Sequence, residues 1–179
     1  MSTNPAVDDL RGLTGWDGGR ATIDWAPLSE ALGLGVPDDF RALTQAFPYG
    51  VFQEWVRLMH PTNAPDAASW VANLRGACDG LRLWRDKFVP DFGYGLYPEP
   101  GGLLPWAEMD NEEYFCWVTQ GPPNDWPTVV CNRALERGDA HPTGAARFLV
   151  GLFRGTVDEP FLADWRDDFT RTPVSFEAF

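Results

Sequence analysis

Histidine and cysteine, the side chains that most often act as metal ligands, bases or nucleophiles, are few in this chain and widely spaced. The two histidines, His60 and His141, are far apart in the sequence, and each is followed by proline. A shared metal or acid–base site would therefore require the fold to bring them together. The three cysteines, Cys78, Cys116 and Cys131, lack Cys-x-x-Cys spacing and stand among apolar neighbours. This pattern favours buried, reduced thiols over disulfides or zinc ligands.

Carboxylates are numerous, but their spacing does not define a catalytic pair. Adjacent acidic residues occur at Asp8-Asp9, Asp38-Asp39 and Asp167-Asp168. The side chains of two successive residues point in different directions, so such pairs do not converge on one substrate. The glycines of residues 15–19 lack the Gly-Lys-Ser/Thr sequence of a phosphate-binding loop. We therefore expect a protein that is not an enzyme and that has no metal site and no cofactor.

The charge of the chain restricts its partners. The 179 residues include 14 Lys and Arg against 26 Asp and Glu, a formal net charge of −12. Such a surface repels nucleic-acid phosphates and anionic lipid head groups, and it favours a basic protein partner. No apolar run approaches the roughly 18 residues of a membrane span, and the amino terminus has no basic and apolar signal regions. We expect a cytoplasmic protein without direct nucleic-acid or membrane contact.

Hydrophobic spacing divides the chain into an arm and one domain. Residues 1–22 carry little apolar surface, which predicts an arm that docks or stays mobile, and residues 23–179 are expected to form a single domain. Helices are predicted over residues 24–32, 37–47, 67–88 (as one long helix or two shorter ones) and 142–155. One strand is predicted over 51–58. The apolar tail, residues 160–179, should pack back as a short helix and an extended end.

Residues 102–130 have the pattern of a small β-meander. Three apolar runs, rich in aromatic and β-branched residues, are separated by acidic or Pro/Gly/Asn turns. Trp106 and Trp117 are expected in the core, whereas Trp126, beside the turn Asn124-Asp125, fits a core or an exposed position. The turns hold acidic and amide residues and no set of nucleophilic or metal-binding side chains.

Several short motifs occur in an order that resembles the SUKH superfamily, the Smi/Knr-type domain. They are a helix ending in Leu-Gly, Gly-Val-Pro-Asp-Asp-Phe-Arg-Ala-Leu before Tyr49-Gly50, Leu-Leu-Pro-Trp-Ala, Tyr-Phe-Cys-Trp, Trp-Pro-Thr-Val-Val and Ala-Ala-Arg-Phe-Leu-Val-Gly-Leu. The match runs from about Ile23 to Gly155. The chain departs from the pattern at residues 111–113, where relatives often have Gly-Asp, and in its longer segment 64–101. The resemblance implies an α+β fold with a central, mostly antiparallel sheet flanked by helices.

The resemblance also implies a function without an active site. Bacterial members are widely regarded as immunity proteins that neutralise toxins, many of them nucleases or deaminases, and other members are regulatory binding modules. We predict a partner-binding surface made of Asp110, Glu112, Glu113, Asp125 and Trp126, with Glu99 as a further candidate. Its carboxylates would present negative potential to the basic cleft of a cognate toxin or other basic partner. The plain alternative for these acidic residues is a pair of solvated turns.

Two other functions compete with this reading. One is a general regulatory or scaffold interaction domain without a toxin partner. The other is a carbohydrate-binding or hydrolytic protein, suggested by the nine tryptophans and the many carboxylates. No feature of the sequence distinguishes a monomer from an oligomer.

Overall fold

The computed structural model describes residues 4–109 and 113–179, which form an α+β fold around one six-stranded antiparallel sheet. The helices are α1 (Pro5–Thr14), α2 (Trp25–Leu32), α3 (Asp38–Ala46), α4 (Ala67–Phe88), α5 (Ala145–Phe153) and α6 (Arg166–Thr170). The strands are β1 (Gly50–Phe52), β2 (Val56–Leu58), β3 (Leu103–Met109), β4 (Glu113–Val118), β5 (Thr128–Asn132) and β6 (Phe176–Ala178). Their order in the sheet is β5-β4-β3-β2-β1-β6, with every neighbouring pair antiparallel. The predicted fold class and the meander are thus confirmed.

The two faces of the sheet pack against different layers. In β4, Phe115 and Trp117 belong to the main core, which they share with residues of α1, α2, α3 and α5. Cys116 and Val118 point to the opposite face and join a smaller cluster that includes Leu81 of α4. This is the alternation expected of a strand buried on both faces. Trp106 and Trp117 are buried as predicted.

The predicted strand over residues 51–58 is wrong, because the chain turns back in its middle. Gln53 and Glu54 both have left-handed backbone angles, with φ of 49° and 67°. The Trp55 N–H donates to the Phe52 carbonyl at 3.0 Å and closes the turn. Two successive residues with positive φ match the right-handed twist of antiparallel strands, so β1 and β2 form a tight hairpin.

The first described residues dock on the domain through a helix. Asn4 caps α1 by accepting the N–H of Ala6 at 3.0 Å, and Val7 and Leu10 are buried in the main core. The helix packs against α5 and α3. The Trp16 indole N–H then donates to the Ala46 carbonyl at 3.0 Å. Of the two states expected for the arm, the docked one is observed for its described part.

Helix α4 is one continuous helix, which decides between the two predicted arrangements. Asp66 caps it by accepting the N–H of Ser69 at 2.7 Å. Gly76 and Gly80 lie in its interior without ending it. None of the described helices is both long and apolar enough to cross a membrane.

The chain between the meander and the carboxyl terminus is also ordered around the sheet. The segment 133–143 returns along β5, where the N–H of His141 donates to the Thr128 carbonyl at 2.8 Å. Helix α5 begins at Ala145, three residues after the predicted start at Pro142, because the N-cap position is Gly144. The tail forms the short helix α6 and strand β6, as expected, and β6 pairs with β1.

Candidate functional site

The two turns of the meander lie at opposite ends of β4, so the predicted surface is not one surface. Glu113 is opposite Asn132 at one end of the β4–β5 pair, and Trp117 is opposite Thr128 at the other. Six strand residues span about 17 Å at the usual rise per residue. Glu113 is therefore separated by the length of a strand from the connection between β4 and β5. The prediction that Glu113 and Asp125 belong to one partner-binding surface is wrong in this respect.

Of the three acidic residues predicted between β3 and β4 or at the start of β4, the described part of the chain contains Glu113. Asp110 and Glu112 lie outside the described residues. Glu113 begins β4, between β3 and β5, and only 6% of it is exposed. Its position inside the sheet explains the burial, and it corrects the expectation that Glu113 offers its carboxylate to a partner.

The two residues predicted between β4 and β5, Asp125 and Trp126, lie in different environments. Asp125 is exposed on the 3₁₀ turn Pro123–Asp125. Trp126 is only 3% exposed, its ring centroid lies 5.9 Å from that of Trp117, and its indole N–H donates to the Gly121 carbonyl at 3.0 Å. Trp126 is therefore a core residue that anchors the turn, which corrects its predicted role in partner contact.

Glu99 forms a clamp with two arginines of α4. Its Oε2 accepts from Arg85 at 2.8 Å and its Oε1 accepts from Arg82 at 3.3 Å. The Leu96 backbone N–H donates to Oε2 at 3.1 Å. The hydrogen bond from Arg85 is the main reason why the pKa of Glu99 falls to about 2. Glu99 therefore fastens the loop 89–101 to α4, and its charge is balanced inside the protein.

The structure brings the turn that carries Asp125 against the first turn of α3, which contains Asp38 and Asp39. Asn124 accepts the N–H of Asp38 through Oδ1 at 2.8 Å and donates from Nδ2 to Asp38 Oδ2 at 2.9 Å. Asp39 Oδ2 accepts the Ala146 N–H at 3.0 Å and so caps α5 from a neighbouring helix. Burial raises the pKa of Asp39 above its ordinary value, against the lowering effect of this hydrogen bond.

A cavity of about 400 Å³ lies beside these residues, and a larger one of about 480 Å³ lies elsewhere in the protein. The smaller one is lined by Asn4, Pro5, Ala6, Asp38, Asp39, Asn124, Pro142, Thr143, Gly144 and Arg147. We call this cavity, together with Asp38, Asp39 and the adjoining Asp125, the acidic cleft. Asp38 and Asp125 are exposed at its edge. The signal in the sequence was the pair Asp38-Asp39, but its contact with Asn124 depends on long-range packing.

The larger cavity, the sheet groove, lies between α4 and the sheet. Tyr49, His60, Asn73, Glu108 and Tyr114 are among its lining residues. Glu108 is its one acidic lining residue, and it stands opposite Arg57 in the strand register. The cleft is more acidic than the groove only through the adjoining Asp125, because Arg147 offsets one of the two aspartates that line the smaller cavity.

The two histidines have separate structural partners. His60 is buried, and its Nε2–H is shared between the carbonyls of Thr44 at 2.9 Å and Phe47 at 3.1 Å. Burial lowers the pKa of His60 below its ordinary value. His141 Nε2 lies 2.8 Å from Oε2 of the buried Glu159. Each ring is thus engaged in holding its own part of the fold.

The cysteines are buried free thiols, as predicted. Burial raises the pKa of Cys78 to about 12. Within residues 4–109 and 113–179, no group of three or more His, Cys, Asp or Glu is arranged to hold a metal ion.

A scan of protein-family models, a search of curated proteins and a search of solved structures each found no match to this chain. The resemblance to the SUKH superfamily thus rests on the sequence motifs alone.

Proposed function

We propose that this protein is a non-enzymatic binding protein of the SUKH type, an immunity protein that neutralises a cognate toxin of the nuclease or deaminase class. The acidic cleft is the observation that supports it, on a chain whose net charge is −12. The proposal includes a cytoplasmic location, where such a toxin would act.

The carboxylate of Asp38 is held in place before a partner arrives. Asp38 has two hydrogen bonds with Asn124, and Asp125 follows Asn124 in the same short turn. A preordered charge loses little side-chain entropy on binding, so more of its Coulomb attraction remains as affinity. Acidic groups arranged in this way fit the Arg and Lys side chains that surround a phosphate-binding active site.

The mechanism is steric blockade guided by charge. Negative potential raises the rate of encounter with a basic cleft, and the bound protein then excludes the substrate. Exposed ion pairs contribute roughly 0.2–1 kcal/mol each. Most of the affinity must therefore come from shape and from apolar contacts around the cleft, while Asp38 and Asp125 set the rate and the choice of partner.

The test compares two matched double variants of the full chain. Asp38→Asn with Asp125→Asn removes charge from the cleft and preserves an acceptor for Asn124. Asp164→Asn with Asp167→Asn removes the same charge from exposed residues near the carboxyl end. Both changes raise the net charge from −12 to −10. The partner to be tested is any toxin domain encoded by the neighbouring genes, assayed by rescue of growth and by the rate of association.

We expect the parent to rescue growth, and we expect the cleft variant to associate roughly 5-fold more slowly at low ionic strength, from two pairs of about 0.5 kcal/mol each. Salt at about 500 mM should remove most of that difference, because it shortens the Debye length. Equal slowing by the two variants would mean that only total charge matters. Absence of rescue by the parent would refute the immunity function itself.

A third variant tests at which end of the meander the partner binds. Asp110→Asn with Glu112→Asn changes the net charge by the same amount at the connection of β3 to β4. If this variant slows association and the cleft variant does not, the partner docks at the opposite end from the acidic cleft.

A further inference from the structure

The sheet groove has the size of a small-ligand site. Its volume of about 480 Å³ falls within the roughly 300–1,000 Å³ that such sites enclose. Its floor is the face of the sheet on which Glu108 stands opposite Arg57 of β2 and opposite Tyr114 of β4. Its walls are the first half of α4 and the chain that follows β2. Asn73 belongs to the first wall and Asn63 to the second.

The polar groups around the groove divide into those that hold the fold and those that do not. The ring of His60 is bonded to two backbone carbonyls, and the indole N–H of Trp70 donates to a third at 2.9 Å. In the part of the chain that the structure describes, the Tyr49 hydroxyl and the side-chain amides of Asn63 and Asn73 have no hydrogen-bond partner. Each of these three groups can both donate and accept. The groove thus offers neutral donors and acceptors that the fold itself does not use.

The charge around the groove favours an uncharged ligand. Glu108 is the one carboxylate among the described residues that line it, and Arg57 stands opposite Glu108 on the neighbouring strand. A guanidinium opposite a carboxylate leaves little net charge with which a charged ligand could pair. The chain as a whole carries −12, so it would also repel a phosphate or carboxylate ligand at long range. The ligand should therefore be polar and neutral.

Among polar, neutral ligands, the structure of the groove favours a sugar over a peptide. A peptide that binds to a sheet gains main-chain hydrogen bonds at a free strand edge, whereas β2, β3 and β4 are each paired on both sides. A pyranose ring instead carries hydroxyl groups around its rim and C–H groups on its faces. The hydroxyl groups match amide and tyrosine groups on separate walls, and the C–H faces can pack on the half-buried rings of Tyr49 and Tyr114. We propose that the sheet groove binds a neutral saccharide.

The saccharide site is independent of the acidic cleft. The groove and the cleft share no lining residue among those described. The Tyr49 ring packs edge-on against Phe179 with centroids 5.3 Å apart, which limits its rotation before a ligand arrives. A small number of hydrogen bonds and an open rim predict weak binding, with a dissociation constant of about 1 mM. Saccharide binding and immunity can therefore be tested, and can fail, separately.

Saturation-transfer NMR on the full chain tests the proposal. The probes are the neutral disaccharides maltose, cellobiose, lactose and N,N′-diacetylchitobiose, each at about 5 mM. Glucuronic acid serves as an anionic sugar for comparison, and a blocked trialanine peptide serves as a neutral peptide. We expect transfer to the ring C–H protons of at least one disaccharide and none to either comparison compound. Absence of transfer to every disaccharide, or equal transfer to the peptide, would overturn the proposal.

Two pairs of matched variants locate the binding. Gly76→Leu fills the groove, whereas Gly80→Leu places the same side chain on α4 outside it, and a Cβ atom at either position meets nothing within 4 Å. Both variants replace a poor helix former, so both should melt no lower than the parent, while only Gly76→Leu should abolish saturation transfer. Asn73→Ala should weaken binding about 2- to 12-fold through the loss of one hydrogen bond. Gln120→Ala, which removes an exposed amide beyond the other end of β4, should leave binding unchanged. Equal effects within either pair would overturn the proposal.

Discussion

Replacement of His60 by alanine is expected to remove a large part of the stability of the fold. The carbonyl of Thr44 lies in the last turn of α3, and the residue four positions later is Pro48, which has no N–H to donate. The buried His60 ring supplies the missing donor through Nε2, which also reaches the Phe47 carbonyl. Its Nδ1 accepts the backbone N–H of Thr62 at 3.2 Å. The neutral ring with hydrogen on Nε2 satisfies all of these contacts.

The magnitude follows from what His60→Ala leaves behind. A buried acceptor without a donor costs about 1–3 kcal/mol, and loss of the packed imidazole ring leaves a cavity. Together these give a loss of about 3–4 kcal/mol in the free energy of unfolding, or about 6–16 °C in melting temperature for a protein of this size. Thr62→Val removes only the hydroxyl that lies 2.7 Å from Nδ1, and it should cost about 1 kcal/mol.

The same site predicts how stability depends on pH. The pKa of His60 is lower in the folded protein than its ordinary value of 6.5. Below pH 6.5 His60 binds a proton in the unfolded chain but stays neutral in the folded chain until the pH reaches its lowered pKa. The contribution of His60 to the free energy of unfolding is therefore complete above pH 6.5. It is lost as the pH falls towards the folded pKa. The slope from this residue is at most about 1.4 kcal/mol per pH unit, and His60→Ala should lack it.

Urea unfolding followed by tryptophan fluorescence measures both effects at pH values of about 7.5, 6.5 and 5.5. Other acidic groups titrate equally in parent and variant, so the difference between the two reports on His60. The reasoning is refuted if His60→Ala loses less than about 1 kcal/mol at the highest pH. It is equally refuted if the parent and the variant have the same slope between the two lower values.

Two other predictions concern contacts that join distant parts of the chain. Glu99→Gln weakens the ion pair with Arg85, which is partly exposed to solvent, so we expect a loss of about 1 kcal/mol at neutral pH. Because the pKa of Glu99 is lowered from 4.5 to about 2, this contribution is present above pH 4.5 and disappears as the pH falls towards 2, where the urea midpoints of variant and parent should converge. Gln53→Ala removes a buried amide that donates to the Phe169 carbonyl at 3.0 Å and accepts the Ser175 N–H at 3.0 Å. It should cost about 2–3 kcal/mol and increase hydrogen exchange in β6, and unchanged exchange there would contradict this role.

The local sequence pattern was sufficient to predict the helices. It was not sufficient to predict a turn whose backbone conformation depends on contacts with a distant part of the chain. The spacing of apolar residues predicted α2, α3 and α4 because each buries one face in the main core. The turn at Gln53 and Glu54 has neither Gly nor Asn, the residues that mark a tight hairpin in a sequence. Its left-handed backbone is held by contacts of Gln53 with the tail, more than a hundred residues later. No window of local sequence contains that information.

Composition also concealed the helix in the first segment. Over residues 1–22, polar and small residues outweigh the apolar ones, which is typical of a mobile arm. Only Val7 and Leu10 of α1 are buried, but both enter the main core against α5. The average hydrophobicity of the whole segment does not reveal two buried apolar side chains. The sequence Asn4-Pro5, by contrast, is a local signal for the start of a helix.

The division of the acidic residues follows from the geometry of a meander. Successive connections in an antiparallel meander must alternate between its two ends, so residues 110–112 and 119–127 could not form one surface once three strands were predicted. Asp38 and Asp125 are distant in sequence. They come together because the Pro123–Asp125 turn packs on α3, where Asn124 donates a hydrogen bond to the carboxylate of Asp38. A net charge of −12 therefore favours a class of partner without locating it. Our proposal places the partner at the turn between β4 and β5 because the fold brings that turn against Asp38.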